Sequence, residues 1–151
     1  MVKRVKVRDL YSPQPQTAYR DEPLADAARV LCDRHVGALV VVKRGDPLRR
    51  PVGILTDRDI VRSEFSRSAD LYLLTVGEAM TPDPLVLRTD FGLTEAIGAM
   101  NARSVRRAPV VDASGALLGM VTLDDLLPAV ARELMMLAGL MGAQAGREGR
   151  H

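Results

Sequence analysis

Tryptophan is missing from this 151-residue chain, cysteine occurs once, and aromatic residues make up only 3%. With so few aromatic faces, the composition argues against base stacking as an activity. Charge of one sign is lacking too. The 21 basic and 19 acidic residues leave a formal charge of +2, spread along the chain without the clustered basic excess of a nucleic-acid footprint. Lys3, Arg4 and Lys6 at one end, and Arg147 and Arg150 at the other, read as solvated ends. The lone Cys32 excludes an intrachain disulfide and a cysteine-based zinc site. Within "ARVLCDRHVGA" it occupies a helix position and is expected to be a small buried residue.

Long apolar runs are absent as well. The N-terminus "MVKRVKVRDL" has no uninterrupted apolar segment of the signal-peptide kind, and no stretch nears the roughly 18 apolar residues that cross a bilayer. A cytoplasmic protein with no membrane and no nucleic-acid partner is the expectation. Two histidines, no Ser/His/Asp grouping, no metal-ligand spacing, no phosphate loop and no GxGxxG leave no candidate catalytic residue, metal or prosthetic group. Asp57 and Asp59, like Asp124 and Asp125, lie at helix starts and point in different directions, so neither pair reads as a catalytic dyad.

What the chain does have is 47% hydrophobic residues, a proportion that builds a real core from Ala, Val, Leu and Met. It is also written twice. Shifted by 69 positions, "VRDLYSPQP" (7–15) lies over "VGEAMTPDP" (76–84), and "DEPLADAARVLCDRHVGALVVV" (21–42) over "DFGLTEAIGAMNARSVRRAPVV" (90–111). After a loop three residues longer in the first copy, "PVGILTDRDIV" (51–61) lies over "LLGMVTLDDLL" (117–127).

The periods within each copy agree. Leu24, Ala27, Ala28 and Leu31, and again Leu93, Ala96, Ile97 and Met100, mark one face of a helix. Val-rich runs at 38–42 and 108–111 suit buried strands, and turn formers in "KRGDPLRRP" and "DASG" lead to second strands at 52–55 and 117–121. Each copy reads as β-α-β-β-α, opening with a strand near 16–19 or 85–87. A copy of about 60 residues buries too little surface alone, so two copies are expected to share one core about a pseudo-twofold. The linker "SRSADLYLLTVGEAM" is expected to be ordered. The last helix is expected from near Thr122 to about Leu140, with Pro128 in its second turn, before a frayed end "GAQAGREGRH".

Each second strand runs into a helix through Gly53-Ile54-Leu55-Thr56-x-x-Asp59 or Gly119-Met120-Val121-Thr122-x-x-Asp125. Threonine at an N-cap with a carboxylate three residues on is a capping-box arrangement. Spacing alone leaves a second role open, that of holding a ligand.

The doubled pattern resembles the CBS (cystathionine β-synthase) domain family, whose repeats carry Gly-hydrophobe-hydrophobe-Thr/Ser-x-x-Asp after a Pro-Val-Val-Asp strand. "RRAPVVDASGALLGMVTLDDLL" has nearly all of it. "HVGALVVV…PVGILTDRDIV" has Val40 where the proline often sits. The resemblance covers about residues 7 to 130 and is that of a tandem pair, a Bateman module. It implies an α/β (α+β) fold of two pseudo-twofold-related β-α-β-β-α repeats packed through their sheets. Repeat 1 would span 7–65 and repeat 2 76–130, with a helical extension and frayed tail at 131–151.

It further implies a non-catalytic sensor that binds an adenine nucleotide (AMP, ADP or ATP, with S-adenosylmethionine also possible) in clefts between the repeats. The stronger cleft would use Thr122 and Asp125 toward ribose and phosphate, Met120 beside the base, and Arg106 and Arg107 on phosphate. Val36, Gly37 and Ala38 would line the adenine side near Gln16 and Thr17. The weaker cleft would use Thr56, Asp59, Ile54 and Val105, without a basic pair of its own, since Gly37 and Ala38 stand where the second copy has Arg106 and Arg107. Arg58 and His35 are its remaining sources of charge. A homodimer formed through the apolar 127–141 helix is expected, as is an effect exerted through a separate protein partner. The alternative is a protein-interaction domain with degenerate, empty clefts.

Overall fold

A computed structural model describes residues 4–67 and 70–148. A short 3-10 turn (Val7–Asp9) leads into β1 (Ser12–Pro13), β2 (Thr17–Tyr19), α1 (Leu24–Arg34), β3 (Ala38–Val42), β4 (Gly53–Thr56) and α2 (Asp57–Arg67). The second half follows with α3 (Val76–Ala79), β5 (Thr81–Pro82), β6 (Leu87–Arg88), α4 (Leu93–Arg103), β7 (Arg107–Val111), β8 (Leu117–Thr122) and α5 (Leu123–Glu148).

The repeat is visible in the backbone itself. Helices α1 and α4 span equivalent residues, and each ends on a left-handed residue, His35 (φ 53°) or Ser104 (φ 54°). The next N–H groups, of Val36 and Val105, return to the carbonyls of Leu31 and Met100 at 3.3 and 3.0 Å. This Schellman-type closure satisfies the last turn of each helix and aims the chain into β3 or β7. Gln14 and Asp83, also 69 positions apart, share positive φ values of 54° and 50°.

Two four-stranded sheets form, in the orders β2-β3-β4-β5 and β1-β8-β7-β6. Each contains one strand from the other half of the chain. Ser12 and Pro13 pair antiparallel with Met120 and Gly119, while Thr81 and Pro82 pair with Ile54 and Gly53. The exchange continues upstream, where the Val7 N–H donates to the Phe91 carbonyl and the Val76 N–H to the Glu22 carbonyl, both at 2.9 Å. Glycine is what lets these strands approach. A Cβ on Gly119 would collide with the Ser12 carbonyl oxygen and the Tyr11 ring, and one on Gly53 with the Met80 side chain. Glycine in a strand commonly marks such a close backbone approach.

The buried residues divide into two clusters, so the expectation of one shared core is corrected. Leu24, Ala27, Leu31, Leu39, Val41 and Leu55 join Leu74 and Val76 from the linker. Leu93, Ala96, Met100, Val110, Val121 and Leu126 join Val7 from the N-terminus. Each helix layer covers one face of its own sheet and is completed by exchanged residues. The opposite faces are covered as well. Leu39 and Val41 point to the helices, and by the two-residue period of a strand Ala38, Val40 and Val42 point away, yet Val40 and Val42 are 0% exposed. The Leu117 N–H donates to the Leu48 carbonyl at 3.1 Å, a bond between the repeats. The repeats therefore pack sheet to sheet.

Other expectations shift by small amounts. Cys32 is exposed rather than buried, because it follows the inward Leu31 by about 100° around the helix. Helix α5 runs through Pro128 to Glu148, eight residues past the expected end. Part of the expected linker and the last three residues lie outside the described residues.

Candidate functional site

Both Thr-x-x-Asp segments close as capping boxes. The Asp125 Oδ2 accepts the Thr122 N–H at 2.8 Å, and the Thr122 Oγ1 accepts the Asp125 N–H at 3.3 Å. The corresponding distances for Thr56 and Asp59 are 2.9 and 3.2 Å. Each box stops a strand, starts a helix and satisfies N–H groups that the helix leaves unpaired. One carboxylate oxygen per aspartate remains, and here the copies part. The Asp125 Oδ1 has no partner among the described residues, and its side chain is half-buried. Asp59 is 7% exposed, and its Oδ1 meets the Thr81 Oγ1 at 3.5 Å.

The other expected residues gather around the same strand ends. Arg107 pairs with Thr122 across β7 and β8, and the Leu123 N–H donates to the Arg106 carbonyl at 2.8 Å, which ties the α5 N-terminus to β7. Ala108 and Val110 face the helix-side cluster, so Arg107 faces the other repeat. Its guanidinium lies there against Gly37, where a Cβ would stand 3.0 Å from Nη1. The bare Cα of Gly37 makes room for that side chain. Arg107 is half-buried with no carboxylate partner among the described residues, whereas Arg106 is exposed.

Met120 and Ile54 are half-buried and lie two residues before their threonines on the sheet faces turned toward each other. Val36 is half-buried, Ala38 is 9% exposed and Val105 36% exposed. Three residues, Gln14, Pro15 and Gln16, carry the chain from β1 in one sheet to β2 in the other. That short span sets Gln16 and Thr17 opposite the β1–β8 edge, although no described hydrogen bond joins them to Thr122 or Asp125. The Gln16 carbonyl accepts the Val40 N–H at 3.0 Å. His35 is taken up by the α1 C-cap, and Arg58 is exposed on the first turn of α2.

Two neighbours escaped the sequence reading. Arg49, in the longer first-copy loop with φ 52°, donates to the Thr17 Oγ1 at 2.7 Å. Thr81 sits on a two-residue strand with no periodic signal, and its 69-residue match to Ser12 was the available cue.

The N-terminus of the 26-residue α5 favours an anion beside Thr122. Two carboxyls near the Pro23–Thr75 bridge are displaced from their usual range. Asp21 is held low by its hydrogen bond from Arg44, and Glu22 is raised by burial. Hollows of about 550 and 540 Å³ flank the bridges Lys6–Gly92 and Pro23–Thr75, and neither is lined by a signature residue. Among the described residues, no group of three or more His, Cys, Asp or Glu is placed to hold a metal ion. No described helix is long and apolar enough to cross a membrane.

Comparison with known proteins places this geometry. The protein MK0525 of Methanopyrus kandleri is 29% identical over 126 residues, 83% of this chain and 60% of that one. Inosine-5'-monophosphate dehydrogenase of Thermoplasma acidophilum is 32% identical over 133 residues, 84% of this chain and 24% of the enzyme. The chain thus spans three fifths or less of these two curated relatives. The crystal structure of Arabidopsis thaliana CBSX2 in complex with AMP is 29% identical, with a TM-score of 0.71, covering 84% of this chain and 96% of that chain. The CBS domain model matches residues 7–65 and 76–132; with both repeats so matched, the chain belongs to the CBS domain family as a tandem pair.

Proposed function

We propose that this CBS pair is a non-catalytic regulatory module that binds an adenosine-containing ligand in the Asp125 cleft and signals its occupancy to a partner protein. One observation carries the reading. Arg107, half-buried and without a carboxylate partner among the described residues, pairs in register with Thr122, the residue whose N–H is held by the half-buried Asp125 with its spare oxygen. No side-chain polar atom among the described residues is both buried and unpartnered, so these two groups face solvent and are open to a ligand. A ligand with a ribose diol and a phosphate matches both, the diol as donor to the carboxylate and the phosphate as acceptor from the guanidinium.

In this reading the diol donates charge-assisted hydrogen bonds to the Asp125 Oδ1. Phosphate meets Arg107, Arg106 and the N-terminus of α5 beside Thr122, and the base lies against Met120, Val36, Gly37 and Ala38, with Gln16 and Thr17 at the rim. Thr56, Asp59, Ile54 and Val105 form the weaker second cleft. The AMP complex of CBSX2 supports an adenosine ligand. AMP, ADP, ATP and S-adenosylmethionine all present that moiety. Regulation follows only if the ligand binds two arrangements of the module with different affinity. A cytoplasmic homodimer joined through α5 completes the proposal, supported by Leu134 (61% exposed), Met135 (73%) and Leu140 (68%) on that helix.

A second reading, an interaction domain with empty clefts, draws on the closed capping boxes, which already give each aspartate a structural role. A thermal-shift titration with AMP separates the two. At a hundredfold excess over its dissociation constant, a ligand stabilises by about 2.7 kcal/mol, which for this size is a rise of roughly 5–11 °C. An unmoved melting temperature at millimolar AMP, ADP, ATP and S-adenosylmethionine favours the interaction domain.

A further inference from the structure

The exchanged strands β1 and β5 occupy equivalent places, and they treat the two aspartates differently. Thr81 pairs with Ile54 beside β4, and Ser12 pairs with Met120 beside β8. From that position the Thr81 hydroxyl meets the Asp59 Oδ1 at 3.5 Å, while no hydrogen bond joins Ser12 to Asp125 among the described residues. A separation of 3.5 Å is long for an O–H···O contact, so the effect of Thr81 is to occupy space over the oxygen rather than to bind it tightly. The burial agrees. Asp59 keeps 7% exposure, with Oδ2 held by the Thr56 N–H and Oδ1 covered by Thr81. Asp125 stays half-buried with Oδ1 open.

The backbone that carries Thr81 is held in place. The preceding Met80 side chain packs where Gly53 lacks a Cβ, and the Thr81 carbonyl lies 3.0 Å from that same point, so β5 is seated closely on β4. A ribose diol needs a carboxylate oxygen facing the cleft as acceptor. In the weaker cleft, that of Asp59, the oxygen is covered.

We propose that Thr81 seals the weaker cleft, that of Asp59, so that the module carries a single nucleoside site, at Asp125, and residue 81 sets the number of sites. This rests on the adenosine reading above and deepens it. It places the difference between the clefts in a hydroxyl on an exchanged strand, apart from the basic pair of the second copy.

The test is the stoichiometry of AMP binding by isothermal titration calorimetry on the full chain, with Asp59→Ala, Asp125→Ala, Thr81→Ala and the double variant Asp125→Ala/Thr81→Ala. Thr81 is exposed on a two-residue edge strand, and circular dichroism confirms folding of each variant. One site per chain is expected in the wild type, with none in Asp125→Ala. Thr81→Ala gains a second site, and the double variant regains one. Two sites in the wild type, one of them lost in Asp59→Ala, overturn the proposal, as does a single site in Thr81→Ala. Those results leave the adenosine reading intact. Absence of AMP binding from every variant removes that reading and this inference with it.

Discussion

Replacing Gly119 by alanine tests the exchange of strands, the feature that joins the two halves. The added methyl falls well inside 3.0 Å of both the Ser12 carbonyl oxygen and the Tyr11 ring. Backbone cannot rotate away as a side chain end can, so β1 must lift from β8. Overpacking of this kind costs about 1–3 kcal/mol, and weakening the β1–β8 hydrogen bonds adds roughly 1 kcal/mol each, giving a loss of about 3 kcal/mol or more. For a chain of this size the melting temperature would fall by roughly 6–12 °C. Gly53→Ala costs less, since its main obstacle is the flexible Met80 side chain. Gly98→Ala, within α4 and with nothing inside 4 Å, gains about 0.5–1 kcal/mol from reduced backbone freedom. Urea and thermal unfolding followed by circular dichroism measure all three. A Gly119→Ala variant within about 0.5 kcal/mol of wild type would refute the reasoning.

Three further outcomes are expected. Asp125→Ala loses a capping box and about 1 kcal/mol of stability even without ligand, measurable by urea unfolding of the ligand-free protein. Asp112 is held below the usual carboxylate range, chiefly by the Ser114 hydroxyl and by the Ala116 N–H. A lowered folded pKa contributes stability above the unfolded value near 3.9 that is lost as pH falls through the folded pKa, so Asp112→Asn should flatten the acid limb of a melting-temperature profile below about pH 4. On the exposed face of α5, Leu134→Glu with Leu137→Glu should shift sedimentation from dimer to monomer while leaving the circular dichroism spectrum unchanged.

Much of the local structure was legible because its signals are local. Apolar periods located α1 and α4, and the Val-rich run gave β3 to the residue. The duplicated Thr-x-x-Asp segments announced both helix starts. The exchange of β1 and β5 was not legible, since two-residue strands containing Pro13 and Pro82 show no alternation, and their partners lie far along the chain. The cue was present in Gly53 and Gly119, whose missing side chains these strands require. The division into two cores follows from the same exchange. Val7 and Val76 each complete the opposite half's helix layer, which a reading within each copy could not assign. At the site, the family resemblance set Arg106 and Arg107 with Thr122, and the strand register pairs Arg107 with Thr122. The contact of Arg107 with Gly37 needed the packing of one repeat on the other.

Calorimetric titration of the purified protein with AMP, ADP, ATP and S-adenosylmethionine, repeated on Asp125→Ala, tests the central claim most directly. Micromolar binding of at least one adenosine compound, abolished in Asp125→Ala, is the result the account predicts. If none binds and Asp125→Ala only lowers the melting temperature, the carboxylate is a helix cap alone, and the nucleotide-sensing account is contradicted.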